Sequence, residues 1–461
     1  MFHRNTSDIR PLAGHLERRE FLKGIISLGI LTLLSYLLPS CLSKSEQTPE
    51  AIIPISPSDI PVINDEKEVT KTADTLDTSK RTPLAILYRQ ELQEYNFGTR
   101  RLYTGSRYRR FIDFLQETLP EADNYRIIKA DPATRNDLIM LCSKEYIDIT
   151  RDYYKAANLG LSRPEQFNQY HSKENVPGER PGKIEEAARL IVGQAKKACD
   201  LIQDGQYDKV VSIGGGMHHA RPDFGEAFCV YNDVAFCALY LMQVYGLERV
   251  LILDTDAHAG NGTSEYFYND PRVLLIDLHQ DPATLYPASG FINEIGSGKG
   301  KGFTINIPMP VGASYYSYQL AFESIVEPVT KEFKPQIIIW EGGSDPHFGD
   351  RICELGLNIE GFKMMGEKVR VMSDICGGKA ICLTCSGYNR KYRNFAWMAF
   401  ITRFGGIELN LEELESFPEQ SGGDTPSTEP ASISDTIRFT EMESIITELR
   451  SQLKDYWTCL R

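Results

Sequence analysis

Five short, uninterrupted apolar runs constrain this chain more than any other feature: KVVSI at 209–213, VLILD at 250–254, VLLIDL at 273–278, QIIIW at 336–340 and KAICLT at 379–384. A strand with one wet face alternates polar and apolar residues. These runs do not, so both of their faces must be covered. Covered strands need helices between them, and one is legible at 184–205. There Ala187, Ala188, Ile191, Ala195, Ala198, Cys199 and Ile202 fall at three- and four-residue spacings along one face. A further strand is expected at the start of the body, in PLAILY at 83–88. The pattern predicts an α/β domain on a parallel sheet, where ligands bind beyond the carboxyl ends of the strands.

Those ends carry the polar residues. The run at 209–213 leads into Gly214-Gly215-Gly216-Met217-His218-His219-Ala220. Glycines allow a tight turn and close approach to a ligand, and adjacent histidines at a strand end are candidate proton carriers. The residue order fits neither the dinucleotide fingerprint nor the phosphate-binding loop. The next run ends Asp254-Thr255-Asp256-Ala257-His258, whose three polar side chains alternate onto one side of an extended chain. Carboxylates and an imidazole together are costly to bury without an ion. Asp345, in EGGSDP after 336–340, can supply a second carboxylate to a zinc site built from two carboxylates and one histidine. Such a site keeps coordination open for water and substrate, which makes it catalytic in type. After the last run, Cys385-Ser386-Gly387-Tyr388-Asn389 places a phenol on a glycine-flanked turn.

The flanks read differently. Residues 17–41 are ERREFLKGIISLGILTLLSYLLPSC. Arg18-Arg19-Glu20-Phe21-Leu22-Lys23 resembles a twin-arginine export signal, and Leu38-Pro39-Ser40-Cys41 resembles a lipoprotein cleavage box. On that reading Cys41 is lipidated and anchors an exported protein to the cell envelope. An uncleaved membrane helix is the alternative and leaves the body on the same side. Residues 1–41 are thus a signal, 42–82 a disordered linker rich in Ser, Thr, Pro and charge, and 83–406 the catalytic domain. A polar linker at 407–436 and a helical segment at 437–461 follow. The turn Gly298-Lys299-Gly300-Lys301-Gly302 lacks phosphate-loop order and is expected to be solvated.

With 63 acidic against 50 basic side chains and no basic stripe, the chain is not expected to bind nucleic acid. Among its ten cysteines, Cys229, Cys237, Cys376 and Cys382 read as small buried hydrophobes. The CxxC spacing of Cys382 and Cys385 has no second pair to complete a zinc site.

Taken in order, IGGGMHHA, FCVYNDVA, DTDAHAGNGTSEYF, LHQDPATLYPASG, INIPMPVG, GGSDP and SGYN resemble the zinc-dependent histone deacetylase family. That family also includes acetoin-utilisation proteins and acetylpolyamine amidohydrolases. The resemblance spans residues 84–406, with Tyr95-Asn96-Phe97-Gly98 matching the opening motif. It implies the arginase/deacetylase fold, a single α/β domain whose parallel sheet of about eight strands is flanked by helices. It implies Asp256, His258 and Asp345 as zinc ligands, with iron(II) or cobalt(II) suiting the same donors. His218 and His219 match the tandem histidines, and Tyr388 the hydroxyl that polarises the substrate carbonyl. Asp254 matches the support of His218 and a neighbour of a structural potassium ion, and Asn261 the partner of His219.

Phe228 and Tyr286 match the aromatic walls of a tunnel for a long methylene stem ending in an amide, with Gly387 on its lining and Glu174 at its rim. The substrate implied is an acetylated peptide or a small acetylated amine such as an acetylpolyamine. Three departures stand out. Ala227 replaces a glycine, which predicts a narrower tunnel or a shifted backbone; Ala259 replaces a histidine; and the rim acid is placed only by position. An arginase-like ureohydrolase would need a richer Asp/His set, and a binding lipoprotein without turnover is separable only by assay.

Overall fold

The computed structural model describes residues 83–409 and 433–461, apart from Arg100, Leu102 and Pro164. The signal with Cys41, the linker at 42–82 and most of the linker at 407–436 lie outside the described residues. Among the described residues no helix is long and apolar enough to cross a membrane.

Eight strands form one sheet: β1 (Leu84–Leu87), β2 (Tyr125–Ile128), β3 (Lys209–Ile213), β4 (Val250–Asp254), β5 (Val273–Gln280), β6 (Thr304–Met309), β7 (Ile337–Glu341) and β8 (Ala380–Thr384). Their order is β2-β1-β3-β8-β7-β4-β5-β6, and every pairing is parallel. Every residue of β4, β5, β6, β7 and β8 is buried, which is why their sequences do not alternate. Two strands have no counterpart among the apolar runs. β2 is a short edge strand (YRII) with Arg126 exposed, and β6 (TINIPM) carries Asn306 and Pro308 within its buried run.

The longer helices cover the sheet: α1 (Ser106–Thr118), α2 (Lys144–Leu159), α3 (Ile184–Gln203), α4 (Asp233–Tyr245), α5 (Asn261–Phe267), α6 (Ile359–Met372), α7 (Arg393–Phe404) and α8 (Ile433–Leu453). All seven apolar positions expected on the face of α3 are buried. α4 starts where the Asn232 side chain accepts the Ala235 N–H and stops at Gly246 in the left-handed region.

The C-terminal helix begins at Ile433, ahead of the expected 437, and docks on the body through Met442, Ile446, Leu449 and Leu453. These residues recur every three or four positions, so one stripe of α8 is apolar. Beyond it the Trp457 indole N–H donates to the Gly302 carbonyl at 2.8 Å. The 298–302 turn is therefore only partly solvated: its lysines face out while Trp457 and Tyr456 cover Gly302. The described cysteines are all free; Cys229, Cys237, Cys382 and Cys385 are buried and Cys376 is half-buried.

Candidate active site

The four central strands β3, β8, β7 and β4 end on one side of the sheet, and each delivers one part of a buried polar cluster. Asp256 and His258 follow β4, and Asp345 follows β7. The His258 Nδ1 lies 2.9 Å from Asp256 Oδ1 and 3.1 Å from Asp345 Oδ2, and all three residues are buried. The second Asp345 oxygen accepts the Ser386 hydroxyl at 3.0 Å. Burial and Asp256 push the Asp345 carboxyl up to about 7, against the pull of His258. His258 is raised to about 10 because Asp256 and Asp345 outweigh its burial. Among the described residues neither carboxylate is paired with a lysine or arginine. Two carboxylate oxygens and an imidazole nitrogen converging in a buried pocket fit a small divalent cation.

Beside them stand two histidines in unlike surroundings. The His218 Nδ1 donates to Asp254 Oδ2 at 2.8 Å, and the other Asp254 oxygen accepts the Asp256 N–H at 3.1 Å. Burial opposes a charge on His218, yet Asp254 and Asp256 raise it to about 9, which favours the imidazolium. His219 lies ring to ring with it, 4.2 Å between centroids, and its Nδ1 is 2.7 Å from the Asn261 Oδ1. Burial first, then His218 and His258, push His219 well below the usual histidine range, so it is neutral.

Glu341, the last residue of β7, closes the inner side. It is fully buried, and no donor reaches either of its oxygens. Burial, then Asp254 and Asp256, push its carboxyl far above the usual range, which favours its neutral form. His218, Asp254 and Glu341 hold ligating atoms within 4.8 Å of one another, but the His218 Nδ1 and the Asp254 oxygens already have partners.

The glycine turn before the histidines serves this interior. Gly214 and Gly216 have φ of 94° and 109°. A Cβ on Gly215 would sit 2.6 Å from Asp233 Oδ2, and one on Gly216 would strike Glu341. The glycines therefore approach two buried carboxyl groups, where a ligand was the expectation. Asp233 accepts the Gly216 and Met217 N–H groups at 3.0 and 2.8 Å, which aims the histidines.

Tyr388 follows β8, with its N–H donating to Asp350 Oδ2 at 2.7 Å. Burial raises its phenol well above the usual value although Arg107 pulls the other way, so it stays protonated and can donate. Gly387 has φ of 113°, and a Cβ there would collide with Ser344. Phe228 stacks on Tyr103 at 5.8 Å and meets Phe97 edge-on at 5.3 Å. Tyr286 is 47% exposed and sets its ring edge-on to His219 at 5.3 Å, which places it between solvent and the cluster. Glu174 sits in the turn Lys173–Asn175, near enough for its charge to act on the Tyr286 hydroxyl.

The departures at Ala227 and Ala259 have local explanations. Ala227 and Phe228 occupy the left-handed region at φ of 49° and 67°, so the turn keeps a conformation that favours glycine. Asn175 holds it there: its Oδ1 accepts the Phe228 N–H at 2.8 Å and its Nδ2 donates to the Cys229 carbonyl at 2.9 Å. Ala259 borders a polar cavity of about 210 Å³ shared with Asn261, Asp277 and Gly290, outside the donor triangle.

Four residues of this network are not evident from the sequence. Glu341 and Asp233 stand within EGGSDP and FCVYNDVA, and their adjacency to the tight turn at Gly215 and Gly216 is a spatial fact. Asn175 carried no signal. Glu226 is buried and accepts the Asn261 Nδ2–H at 2.5 Å and the Tyr286 hydroxyl at 2.9 Å, with Arg221 Nε 3.5 Å from its other oxygen.

A parallel α/β sheet carrying two carboxylates, an imidazole, a histidine pair and a phenol at its strand ends defines a candidate metal centre of hydrolase type. The histone deacetylase domain matches residues 102–404, and the chain belongs to that family. A probable deacetylase of Archaeoglobus fulgidus is 33% identical over 296 residues, covering 61% of this chain and 76% of that protein. The acetoin utilization protein AcuC of Staphylococcus xylosus is 32% identical over 307 residues, covering 66% and 77%. The crystal structure of the HDA15 HD domain superposes with a TM-score of 0.66 at 24% identity, covering 82% of this chain and 96% of that one, and so supports the fold. A domain of this family implies a divalent metal, typically zinc, and its fold is the arginase/deacetylase fold.

Proposed function

We propose that this chain is a zinc-dependent deacetylase that hydrolyses the N-acetyl amide of an acetyl-lysine or acetylpolyamine type of substrate. One observation carries the reading: the His218–His219 pair stands beside the buried donor triangle of Asp256, His258 and Asp345, with the His219 ring 5.9 Å from that of His258. A zinc ion held by Asp256, His258 and Asp345, or iron(II) or cobalt(II) in its place, would supply Lewis acidity and make a bound water more acidic.

The chain's own residues do the rest. His219, neutral with its Nδ1 on Asn261, takes a proton from the attacking water through Nε2 and returns it to the departing amine. His218, kept cationic by Asp254, stabilises negative charge as it develops beside it. The Tyr388 hydroxyl donates to the acetyl oxygen as that oxygen gains charge. Phe228 and Tyr286 bury the methylene stem of the substrate, with Gly387 lining the same passage and Glu174 at the rim. A potassium ion near Asp254 belongs to the same proposal.

The sequence before the described body supports an exported, lipid-anchored location. Arg18-Arg19 and Leu38-Pro39-Ser40-Cys41 are the features in its favour, and loss of lipid labelling in Cys41→Ala is the expected result.

The activity is tested by acetate release from N-acetylputrescine and from an acetyl-lysine peptide, using the purified full chain with and without zinc. Zinc-dependent release is expected, and Tyr388→Phe should keep the metal but lose roughly 10²–10³ in rate. Wild-type turnover in that variant would remove Tyr388 from the mechanism.

A further inference from the structure

Resting on the reading of His219 as the base, we propose that Glu226 is a positioning residue: it fixes which way the Asn261 amide points, and through it which nitrogen of His219 carries the proton. The same carboxylate tethers Tyr286 at the tunnel mouth.

Direction comes from the chemistry of the groups. A side-chain amide has a donor end and an acceptor end, and a neutral imidazole likewise has one N–H and one lone pair. Asn261 facing His219 can therefore pair in two senses. In one, the amide oxygen accepts the Nδ1–H and leaves a lone pair on Nε2. In the other, the amide nitrogen donates to a bare Nδ1 and the proton sits on Nε2. Only the first leaves His219 able to take a proton toward the donor triangle.

Nothing in the His219–Asn261 pair itself chooses between the two senses. Glu226 does, because a carboxylate only accepts. Its Oε1 takes the Asn261 Nδ2–H at 2.5 Å, so the Asn261 Oδ1 must face His219, where it lies 2.7 Å from Nδ1. The Tyr286 hydroxyl donates to the same Oε1 at 2.9 Å, and Arg221 Nε stands 3.5 Å from Oε2, so every group facing the carboxylate is a donor. The polarity of the chain runs one way, from Glu226 to Nε2 of His219. Inside the same cluster His218 needs no such device, since its partner Asp254 is itself acceptor-only.

This account makes a reciprocal prediction. An aspartate at 261 accepts at both oxygens, so it would orient His219 without help from Glu226. Beside Glu226, however, it would set two carboxylates where 2.5 Å now separates a donor from an acceptor.

The test uses the zinc-loaded full chain as wild type, Glu226→Ala, Asn261→Asp and the double variant, with kcat and KM measured on an acetyl-lysine peptide. It is paired with imidazole ¹⁵N–¹H spectra that report the His219 tautomer, assigned with His219→Gln. Glu226→Ala should lower kcat about tenfold, the scale of losing one charged hydrogen bond, and shift His219 toward the Nε2–H form. Asn261→Asp alone should also be impaired. The double variant should recover kcat and the Nδ1–H signal while KM stays raised, because Tyr286 remains untethered.

Unchanged kcat and tautomer in Glu226→Ala, or a folded double variant no better than Glu226→Ala, would overturn the assignment. Absence of turnover in the wild type would count against the deacetylase reading alone, and the tautomer spectra would still decide the role of Glu226.

Discussion

His218 and His219 are chain neighbours with rings 4.2 Å apart, yet their surroundings give them opposite charge states. The inner histidine leans on Asp254, with Glu341 behind it as a neutral acid, and is raised to about 9. The outer one leans on an amide, Asn261, and is held well below its usual range by burial and by its two histidine neighbours. Proximity alone would make the pair alike. The difference lies in the balance of charge and burial: Asp254 and Asp256 outweigh burial at His218, whereas at His219 burial and the two histidines outweigh the Asn261 hydrogen bond.

Removing the inner carboxylate is the strongest way to break this contrast short of replacing a histidine. Asp254→Asn takes away the main charge that favours His218 as a cation, and kcat should fall about 10–100-fold, as for other groups that orient a metal-site residue. An unaltered kcat would show that the charge on His218 is not used.

Asn261→Asp sharpens the contrast from the other side. A carboxylate at Nδ1 favours the charged form of His219, so the acid limb of the kcat/KM profile should move to higher pH. A profile with its acid limb in place would mean that His219 does not govern that limb.

Glu341→Gln should do little. Because burial favours the neutral form of Glu341, glutamine preserves that charge and nearly its shape, and kcat should stay within roughly twofold of wild type. A large loss would mean that Glu341 works as an anion.

A third buried histidine supplies a control outside the donor triangle, although it touches Asn175 of the Phe228 turn at 3.2 Å. His171 stacks on Phe167 at 4.2 Å, pairs with Thr150 at 2.8 Å, and is lowered by burial to about 3. Between pH 6.5 and 3 the unfolded chain binds the proton that the folded chain refuses. Its contribution to stability is therefore present above pH 6.5 and declines as pH falls, by about 1.4 kcal/mol per pH unit. His171→Gln should reduce that slope in denaturant unfolding without altering the kcat profile. An unchanged slope would place the acid sensitivity elsewhere.

How much of this was legible in the sequence depended on whether a signal was local. The strands β3, β4, β5, β7 and β8 were readable because burial on both faces leaves unbroken apolar runs. β2 was hidden by its edge position, and β6 by Asn306 and Pro308. Each expected metal or catalytic residue lies at a strand end, so Asp256, His258, Asp345, His218, His219 and Tyr388 could be named from their place after an apolar run. Asn261 was legible only through the family's block of residues. Glu226 was not legible, since an acidic residue in a loop is ordinary in this chain and its partners Asn261 and Tyr286 are 35 and 60 residues away. The glycines before His218 suggest a ligand loop, because sequence shows the turn but not the carboxyl groups that fill the space beside it.

The most direct test of the central claim is acetate release by the zinc-loaded full chain, with His219→Gln and His218→Gln measured side by side. The account predicts release by the wild type, a loss of roughly 10²–10⁴ in kcat for His219→Gln, and a smaller loss for His218→Gln. Wild-type turnover in His219→Gln, or the reverse order of the two losses, would contradict it.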